Sequence, residues 1–183
     1  MSKPPIDPKT DLVLERVVPV PPRLVWRAWT EPEHLMPWFC PRPWQTVDCR
    51  IDLKPGGEFY TQMRSPEGEN MEGGSGCYLD IEKERKLVWT SALGPGYRPA
   101  MARVHDLFFT AWILMEPEGG GTKYTAIAMH PDEASAKRHE EMGFQDGWGT
   151  ALDQLVEYAR TALYEDAAST RSCDSAGQQG GGP

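Results

Sequence analysis

Residues 13–39 read VLERVVPVPPRLVWRAWTEPEHLMPWF, and this stretch predicts one strand followed by two short helices. Residues 11–18 are rich in Val and Leu and alternate weakly, which predicts the strand, and Pro21 and Pro22 end it. Thr30 is a suitable N-cap for the second helix. The apolar residues recur at helical spacing, first on Leu24, Val25, Ala28 and Trp29, then on Leu35, Met36, Trp38 and Phe39.

The residues after this stretch alternate with a period of two, which predicts an antiparallel sheet. Strands are expected over 44–53, 58–64, 71–81, 87–93, 107–115 and 122–130, joined mostly by turns rich in Gly and Pro. Gly73, Gly74 and Gly76 predict a bulge or strong curvature in the third of these strands.

One long C-terminal helix is expected to begin at Pro131-Asp132. Its apolar stripe comprises Met142, Trp148, Leu152, Leu155, Val156, Ala159 and Leu163. Consecutive strands with helices on one face predict an α+β fold, in which a curved antiparallel sheet wraps around the long helix. The space between sheet and helix is the expected binding site.

The chain has 183 residues, which suits one domain, predicted over residues 10–164. Residues 1–9 contain three Pro and little apolar content, and residues 165–183 are mostly Gly, Ser, Gln and Asp. Both ends are therefore predicted to be disordered. Deleting residues 166–183 is expected to leave the melting temperature unchanged.

Charge and cysteine content narrow the class of protein. The net charge is −8 and the isoelectric point about 5.0, which argues against nucleic acid as a partner. No apolar run approaches the ~20 residues that span a bilayer, and the first residues form no apolar signal segment. Cys40, Cys49, Cys77 and Cys173 match no CxxC pattern, so free thiols and a cytoplasmic location are predicted.

The sequence predicts no metal site and no cofactor. His34, His105, His130 and His139 are scattered, and His139-Glu140-Glu141 lacks the second His of the HExxH zinc motif. These histidines are interpreted as surface or hydrogen-bonded residues. An enzyme would need an ionisable side chain that points inward, for which Arg103, His105, Asp106 and Glu58 are the candidates.

The aromatic residues suggest a cavity for an apolar ligand. Seven Trp are many large rings for one domain, so they either fill a thick core or line a pocket. The residues expected to line it are Phe39, Trp44, Phe59, Thr61, Met63, Trp89, Ser91, Phe109, Ala111, Tyr124, Met142 and Trp148. Thr, Ser and Tyr provide a few polar groups among the rings.

Several segments, in order, resemble one known family. They are VLERVVPVPPRLVWRAWTEPEHLMPWF, PGGEFY, GCYLDIEKERKLVWT, GGGTKYT and MGFQDGWGTALDQL, which together span most of residues 10–161. The family comprises homologues of the heat-shock-protein-90 ATPase activator, within the START-like or SRPBCC superfamily that includes the birch-pollen allergen. The resemblance implies a helix-grip fold with an apolar cavity, and relatives include lipid binders and polyketide cyclases.

Three functions remain open at this point. The first is binding of a hydrophobic small molecule or lipid, and the second is a cyclase or hydrolase-like enzyme that uses the same cavity. The third is regulation of a chaperone or another protein, or a homodimer, through the outer sheet face. That face would expose Trp112, Leu114, Ile127 and Met129. In addition, Gly143, Gly147 and Gly149 suggest that the start of the long helix acts as a gate.

Overall fold

The computed structural model describes residues 3–101 and 107–164, which form a strongly curled antiparallel sheet with helices packed against its inner face. The strands of the main sheet are β1 (Asp11–Val18), β2 (Gln45–Ile51), β3 (Glu58–Arg64), β4 (Gly74–Glu82), β5 (Lys86–Thr90), β8 (Thr110–Glu118) and β9 (Gly121–Met129). A small hairpin, β6 (Leu93–Gly94) and β7 (Arg98–Pro99), lies between β5 and β8. The α-helices are α1 (Pro22–Thr30) and α2 (Pro32–Leu35), which were predicted, and α3 (Glu133–Glu141) and α4 (Phe144–Tyr158) at the C-terminal end.

The main sheet has the strand order β1-β9-β8-β5-β4-β3-β2, with every neighbouring pair antiparallel. The first strand therefore lies at one edge of the sheet, beside the last strand. This arrangement confirms the α+β helix-grip fold that the sequence predicted.

The position of the bulge in β4 differs from the prediction. The register shifts between Tyr78 and Asp80, whereas Gly76 pairs regularly with Phe59 of β3. Position 76 requires a glycine not for a bulge but for space, because a Cβ built there would lie 2.8 Å from the carbonyl oxygen of Thr90. The glycine thus allows close approach of β5, while the extra residue that bends the strand is Leu79.

The predicted long C-terminal helix is present as α4, but it begins at Phe144 rather than at Pro131-Asp132. Helix α3 ends at Glu141, and α4 begins at Phe144 after Gly143, whose φ of +91° is a left-handed conformation that favours glycine. Met142 belongs to no buried stripe and is 71% exposed. The rest of the predicted stripe packs on the core through Leu152, Leu155, Val156, Ala159 and Leu163, the last two in a π-helical turn over Ala159–Leu163.

The core lies between the inner sheet face and helices α1 and α4. Strands β8 and β9 contribute alternate residues, as predicted: Ala111, Ile113, Met115, Tyr124, Ala126 and Ala128. Helix α1 buries Leu24, Val25, Trp26, Ala28 and Trp29, which is most of its length. The two tryptophans of α1 are therefore part of the core.

The outer sheet face is not the exposed apolar patch that the alternation predicted. Leu114 is only 3% exposed, Ile127 is fully buried, and Trp112 is half-buried. The cross-strand neighbours of Leu114 are Lys86 and Thr125, and both are buried too. The prediction failed because long side chains cover this face: the Lys86 ammonium lies 6.0 Å from the Trp112 ring centroid and pairs with acidic residues.

The segments that flank the predicted domain, and one loop inside it, are only partly described. Residues 3–9 contain neither helix nor strand, although Lys3 pairs with Glu15 of β1. The predicted tail after residue 164 and three of the candidate ionisable residues, Arg103, His105 and Asp106, lie outside the described residues. Within the described ranges, no helix has both the length and the apolar character needed to cross a membrane.

Candidate functional site

A cavity of about 700 Å³ lies between the inner sheet face and the α3–α4 pair. Strands β3, β4, β5 and β9 form one wall, and α1 and the loop after α2 form another. Helix α4 and the Gly143 junction form the remaining side. The volume falls in the range of ~300–1,000 Å³ that is common for small-molecule sites.

Eleven of the twelve residues predicted to line this cavity do so. They are Phe39, Trp44, Phe59, Thr61, Met63, Trp89, Ser91, Phe109, Tyr124, Met142 and Trp148. Ala111 does not: it lies on the same sheet face but is fully buried in the core below the cavity floor. Whether the eleven residues bind a ligand stays a prediction.

Four further lining residues were not predicted at the site: Trp29, Trp38, His139 and Leu152. Phe144 and Gly147, which the gate prediction placed at the mouth of the cavity, also line it. Trp29 and Trp38 already stood on predicted apolar helix faces, and Leu152 on the predicted stripe. Periodicity alone does not show which of these apolar helix faces points toward the cavity. His139 carried no usable signal, because its partners come from other elements.

The aromatic rings form a continuous chain along the cavity. Neighbouring centroids are 4.8 Å apart for Phe59 and Trp89, 5.4 Å for Trp89 and Phe109, and 5.1 Å for Phe109 and His139. Beyond His139 the chain continues at 5.2 Å to Phe144 and at 5.0 Å from Phe144 to Trp148. These separations suit edge-to-face and tilted ring contacts, so the wall is preorganised as well as apolar.

Three large apolar lining residues are more than a third exposed and mark the opening of the cavity. Trp44 follows the loop after α2, Met63 lies near the end of β3, and Met142 stands at the junction of α3 and α4. The Gly143 junction is therefore at the entrance. Gly147, one turn further along α4, lines the cavity, and a Cβ built there meets nothing within 4 Å.

Gln154 of α4 fixes the loop that carries Trp38 to Pro41. Its Nε2 donates to the carbonyl oxygens of Trp38 and Cys40, at 2.9 Å each, and its Oε1 accepts from the backbone N–H of Arg42 at 2.9 Å. Gln154 is itself buried. One side chain therefore satisfies three backbone groups of a loop that has no regular structure of its own.

The hydroxyl of Ser91 is engaged within the protein. It accepts from the backbone N–H of Phe109 at 3.1 Å and lies 3.3 Å from the carbonyl oxygen of Leu107, to which it donates. Ser91, which was predicted as a polar group of the cavity, therefore connects the end of β5 to the segment that leads into β8. Its role in the described structure is to position Phe109.

The ionisable side chains that line the cavity, among the residues described, carry no charge at neutral pH. They are Cys40, Tyr124 and His139. Burial raises the pKa of the Cys40 thiol and of the Tyr124 phenol, so both stay protonated. Burial and, to a smaller extent, the neighbouring His130 lower the pKa of His139 to about 4, so its imidazole is neutral.

His139 is hydrogen-bonded in a chain of three groups. His130 Nδ1 lies 2.9 Å from the carbonyl oxygen of Thr10, and His130 Nε2 lies 2.9 Å from His139 Nδ1. Both imidazoles are buried. The pair ties the segment before β1, the residue after β9 and helix α3 together, directly behind the cavity wall.

Other candidate groups lie away from the cavity. Glu58 does not line it, and its carboxylate accepts from Ser75 Oγ and Arg50 Nε. Glu31, Glu33 and His34 place their ligand atoms within 4.8 Å of one another, as a metal site would. However, His34 Nδ1 lies 2.8 Å from the Tyr158 hydroxyl and Nε2 lies 3.1 Å from Glu31, so both ring nitrogens already have protein partners.

Comparison with known proteins identifies the relatives of this fold. The model of the family "Activator of Hsp90 ATPase homolog 1-like protein" matches residues 19–160. A search of curated proteins found no match. Among solved structures, a Nitrosomonas europaea protein is 50% identical with a TM-score of 0.81, and the match covers 89% of this chain and 99% of that one.

More distant structures share the fold. A Mycobacterium smegmatis protein has 18% identity and a TM-score of 0.67, with 81% of this chain and 90% of that one covered. The AHSA1-like protein from Aeromonas hydrophila has 20% identity and a TM-score of 0.63, with 83% and 93% covered. At such identities the likeness is one of fold, which supports the helix-grip architecture described above.

Proposed function

The chain belongs to the Activator of Hsp90 ATPase homolog 1-like family, and from that premise we propose that its cavity binds a hydrophobic small molecule or lipid. The observation that carries this proposal is the cavity of about 700 Å³ with its chain of aromatic rings. A fully packed core would leave no such space. An apolar ligand gains most where large rings surround it and no charge must be desolvated.

The alternative of an enzyme has less support from the described residues. Glu58 is turned away from the cavity, and the lining residues include neither Asp, Glu, Lys nor Arg among the residues described. His139 remains as an ionisable group at the wall, but a base with a pKa of about 4 is weak at neutral pH. The arrangement favours holding a molecule over transforming it.

The alternative of a protein-interaction module also lacks the exposed apolar face on which it was predicted. That hypothesis required exposed Leu114 and Ile127 on the outer sheet face, and both are buried. The proposed location is the cytoplasm, supported by three free, buried cysteines at Cys40, Cys49 and Cys77.

The binding proposal is tested with two matched variants of α4. Gly147 lines the cavity and has open space around its Cβ position, so Gly147→Leu places a side chain into the binding space. Gly149 lies outside the lining, with only Arg16 Nη1 at 4.0 Å, so Gly149→Leu is the control. Both substitutions relieve the same helical cost of glycine.

The readout is a titration with an apolar fluorescent dye, 1-anilinonaphthalene, monitored also through the cavity tryptophans. We expect saturable binding to the wild type and to Gly149→Leu, with affinity at least tenfold lower for Gly147→Leu. Equal binding to all three proteins would place the dye outside the cavity. Absence of saturable binding to the wild type would contradict the proposal.

A further inference from the structure

The hydrogen-bond chain behind the cavity wall fixes which nitrogen of His139 carries a proton. The Thr10 carbonyl only accepts, so the His130 Nδ1 that lies 2.9 Å from it must be protonated. With its ring proton on Nδ1, His130 offers Nε2 as an acceptor, and the His139 Nδ1 at 2.9 Å then donates to it. A neutral His139 with a proton on Nδ1 has a bare lone pair on Nε2.

That lone pair belongs to a side chain at the cavity wall. His139 lines the cavity, and its ring is surrounded by three other lining rings: Phe109, Phe144 and Trp148. Among the described residues, Nε2 has no hydrogen-bond partner. An acceptor set among apolar rings loses its contact with water when a ligand fills the cavity, unless the ligand supplies a donor.

A hydrogen-bond donor of the same wall is also without a partner. Trp89 lines the cavity, is nine-tenths buried, and its indole N–H has no hydrogen-bond partner among the described residues. Phe109 stands between the two groups, with ring centroids 5.4 Å from Trp89 and 5.1 Å from His139. One acceptor and one donor thus lie on either side of a single ring.

We propose that the ligand is a neutral apolar molecule bearing a hydroxyl group, an alcohol or a phenol, whose O–H donates to Nε2 of His139. The Trp89 indole lies on the other side of the Phe109 ring, and this contact does not require it. This inference rests on the proposed binding function and adds the chemical class of the ligand. An anionic lipid such as a fatty acid is disfavoured, because a carboxylate would face the lone pair with no cation in the described lining to compensate it.

The experiment compares, at pH 7.5, three ligands that share one hexyl-substituted benzene ring. They are 4-hexylphenol, 4-hexylanisole, in which a methyl group replaces the hydroxyl hydrogen, and the anion 4-hexylbenzoate. Affinities are measured by calorimetry on the full-length chain. We expect the phenol to bind about tenfold more tightly than the anisole, which is the usual contribution of one hydrogen bond, and the benzoate to bind least tightly.

Two variants assign the preference to His139. His139→Phe keeps an aromatic ring but removes the acceptor, so the phenol and the anisole should bind with equal affinity. His139→Gln keeps an acceptor, so part of the preference should return. Equal affinity of phenol and anisole for the wild type, a preference that survives in His139→Phe, or strongest binding of the benzoate would each overturn the inference while leaving the binding function intact. Binding of none of the three would overturn both.

A second measurement does not depend on the folding of a variant. Long-range ¹H–¹⁵N correlation spectra of the wild type report the tautomer of each histidine. We expect the ring proton of His139 to lie on Nδ1, and the Nε2 signal of His139 to shift when 4-hexylphenol binds. A proton on Nε2 of His139 in the free protein would contradict the inference.

Discussion

Nε2 of His130 lies 2.9 Å from Nδ1 of His139, and through this contact the end of the last strand is joined to the helix at the cavity entrance. His130 follows β9 directly, and His139 lies in the last turn of α3. The bond therefore ties α3, which precedes the Gly143 junction, to the rigid sheet. It also places a titratable group inside an aromatic cluster, where burial lowers its pKa.

The protein should lose stability as the pH falls from about 6.5 to about 4. Burial lowers the pKa of His139 from 6.5 to about 4, with a smaller contribution from His130, the titratable group bonded to it. The unfolded chain therefore takes up a proton in this window while the folded chain does not. The free energy of unfolding should fall by up to about 1.4 kcal/mol for each pH unit, and above pH 7 this effect is absent.

Urea unfolding at pH 7 and pH 5 checks this prediction, with His139→Gln as the control. The variant cannot titrate at this position, whereas the carboxylates of both proteins change alike. The wild type should lose more stability than the variant between the two pH values. An equal loss in both proteins would show that His139 does not cause the dependence.

Two glycines at the start of α4 should respond to alanine in opposite directions. Gly147 has helical surroundings and open space at its Cβ, so Gly147→Ala should raise the free energy of unfolding by up to about 1 kcal/mol. Gly143 has φ +91°, so Gly143→Ala should lower it by about 1 kcal/mol. Thermal and urea unfolding of the two variants check this, and a loss of stability in Gly147→Ala would show a clash that the structure excludes.

The segment at the cavity entrance should exchange its amide hydrogens faster than the rest of the helical layer. Residues 140–149 contain the Gly143 junction, Gly147 and Gly149, whereas residues 152–160 pack on the core through Leu152, Leu155 and Ala159. Hydrogen exchange with mass spectrometry should show this difference, and binding of 4-hexylphenol should slow the first segment. Equal exchange of both segments, with or without ligand, would contradict a gate.

Gln154→Leu should destabilise both the fold and the cavity wall. The change leaves the carbonyl oxygens of Trp38 and Cys40 and the N–H of Arg42 without their partner, at a cost of about 2–4 kcal/mol. Gln145→Leu is the control, because exposed Gln145 makes one hydrogen bond to Val13 and its loss should cost less than about 1 kcal/mol. Urea unfolding measures both, and similar losses in the two variants would show that Gln154 does not hold the loop.

The sequence predicted the elements whose signals are local. Alternation in β8 placed Ala111, Ile113 and Met115 on the inner face, and the helical stripe from Leu152 to Leu163 was found as predicted. The break at Gly143 was not predicted, because Met142 was counted in the apolar stripe although its six-residue separation from Trp148 places the two about 120° apart around a continuous helix. Periodicity does not reveal a left-handed backbone at a single glycine.

The parts of the site that were not predicted depend on contacts between distant residues. Gln154 reaches Trp38 across 116 residues, and the His130–His139 bond crosses a helix start. No residue type near either partner signals such a pair. The burial of Leu114 likewise depends on neighbours in two other strands, which a single strand's alternation does not contain.

The most direct test of a ligand-binding cavity is native mass spectrometry of the wild type and of Gly147→Leu. Both proteins are incubated with the apolar extract of the cells that produce the protein, and then freed of unbound material. We expect one neutral apolar molecule per chain on the wild type and little or none on Gly147→Leu. A wild-type spectrum with only the bare chain, or equal occupancy of the two proteins, would contradict it.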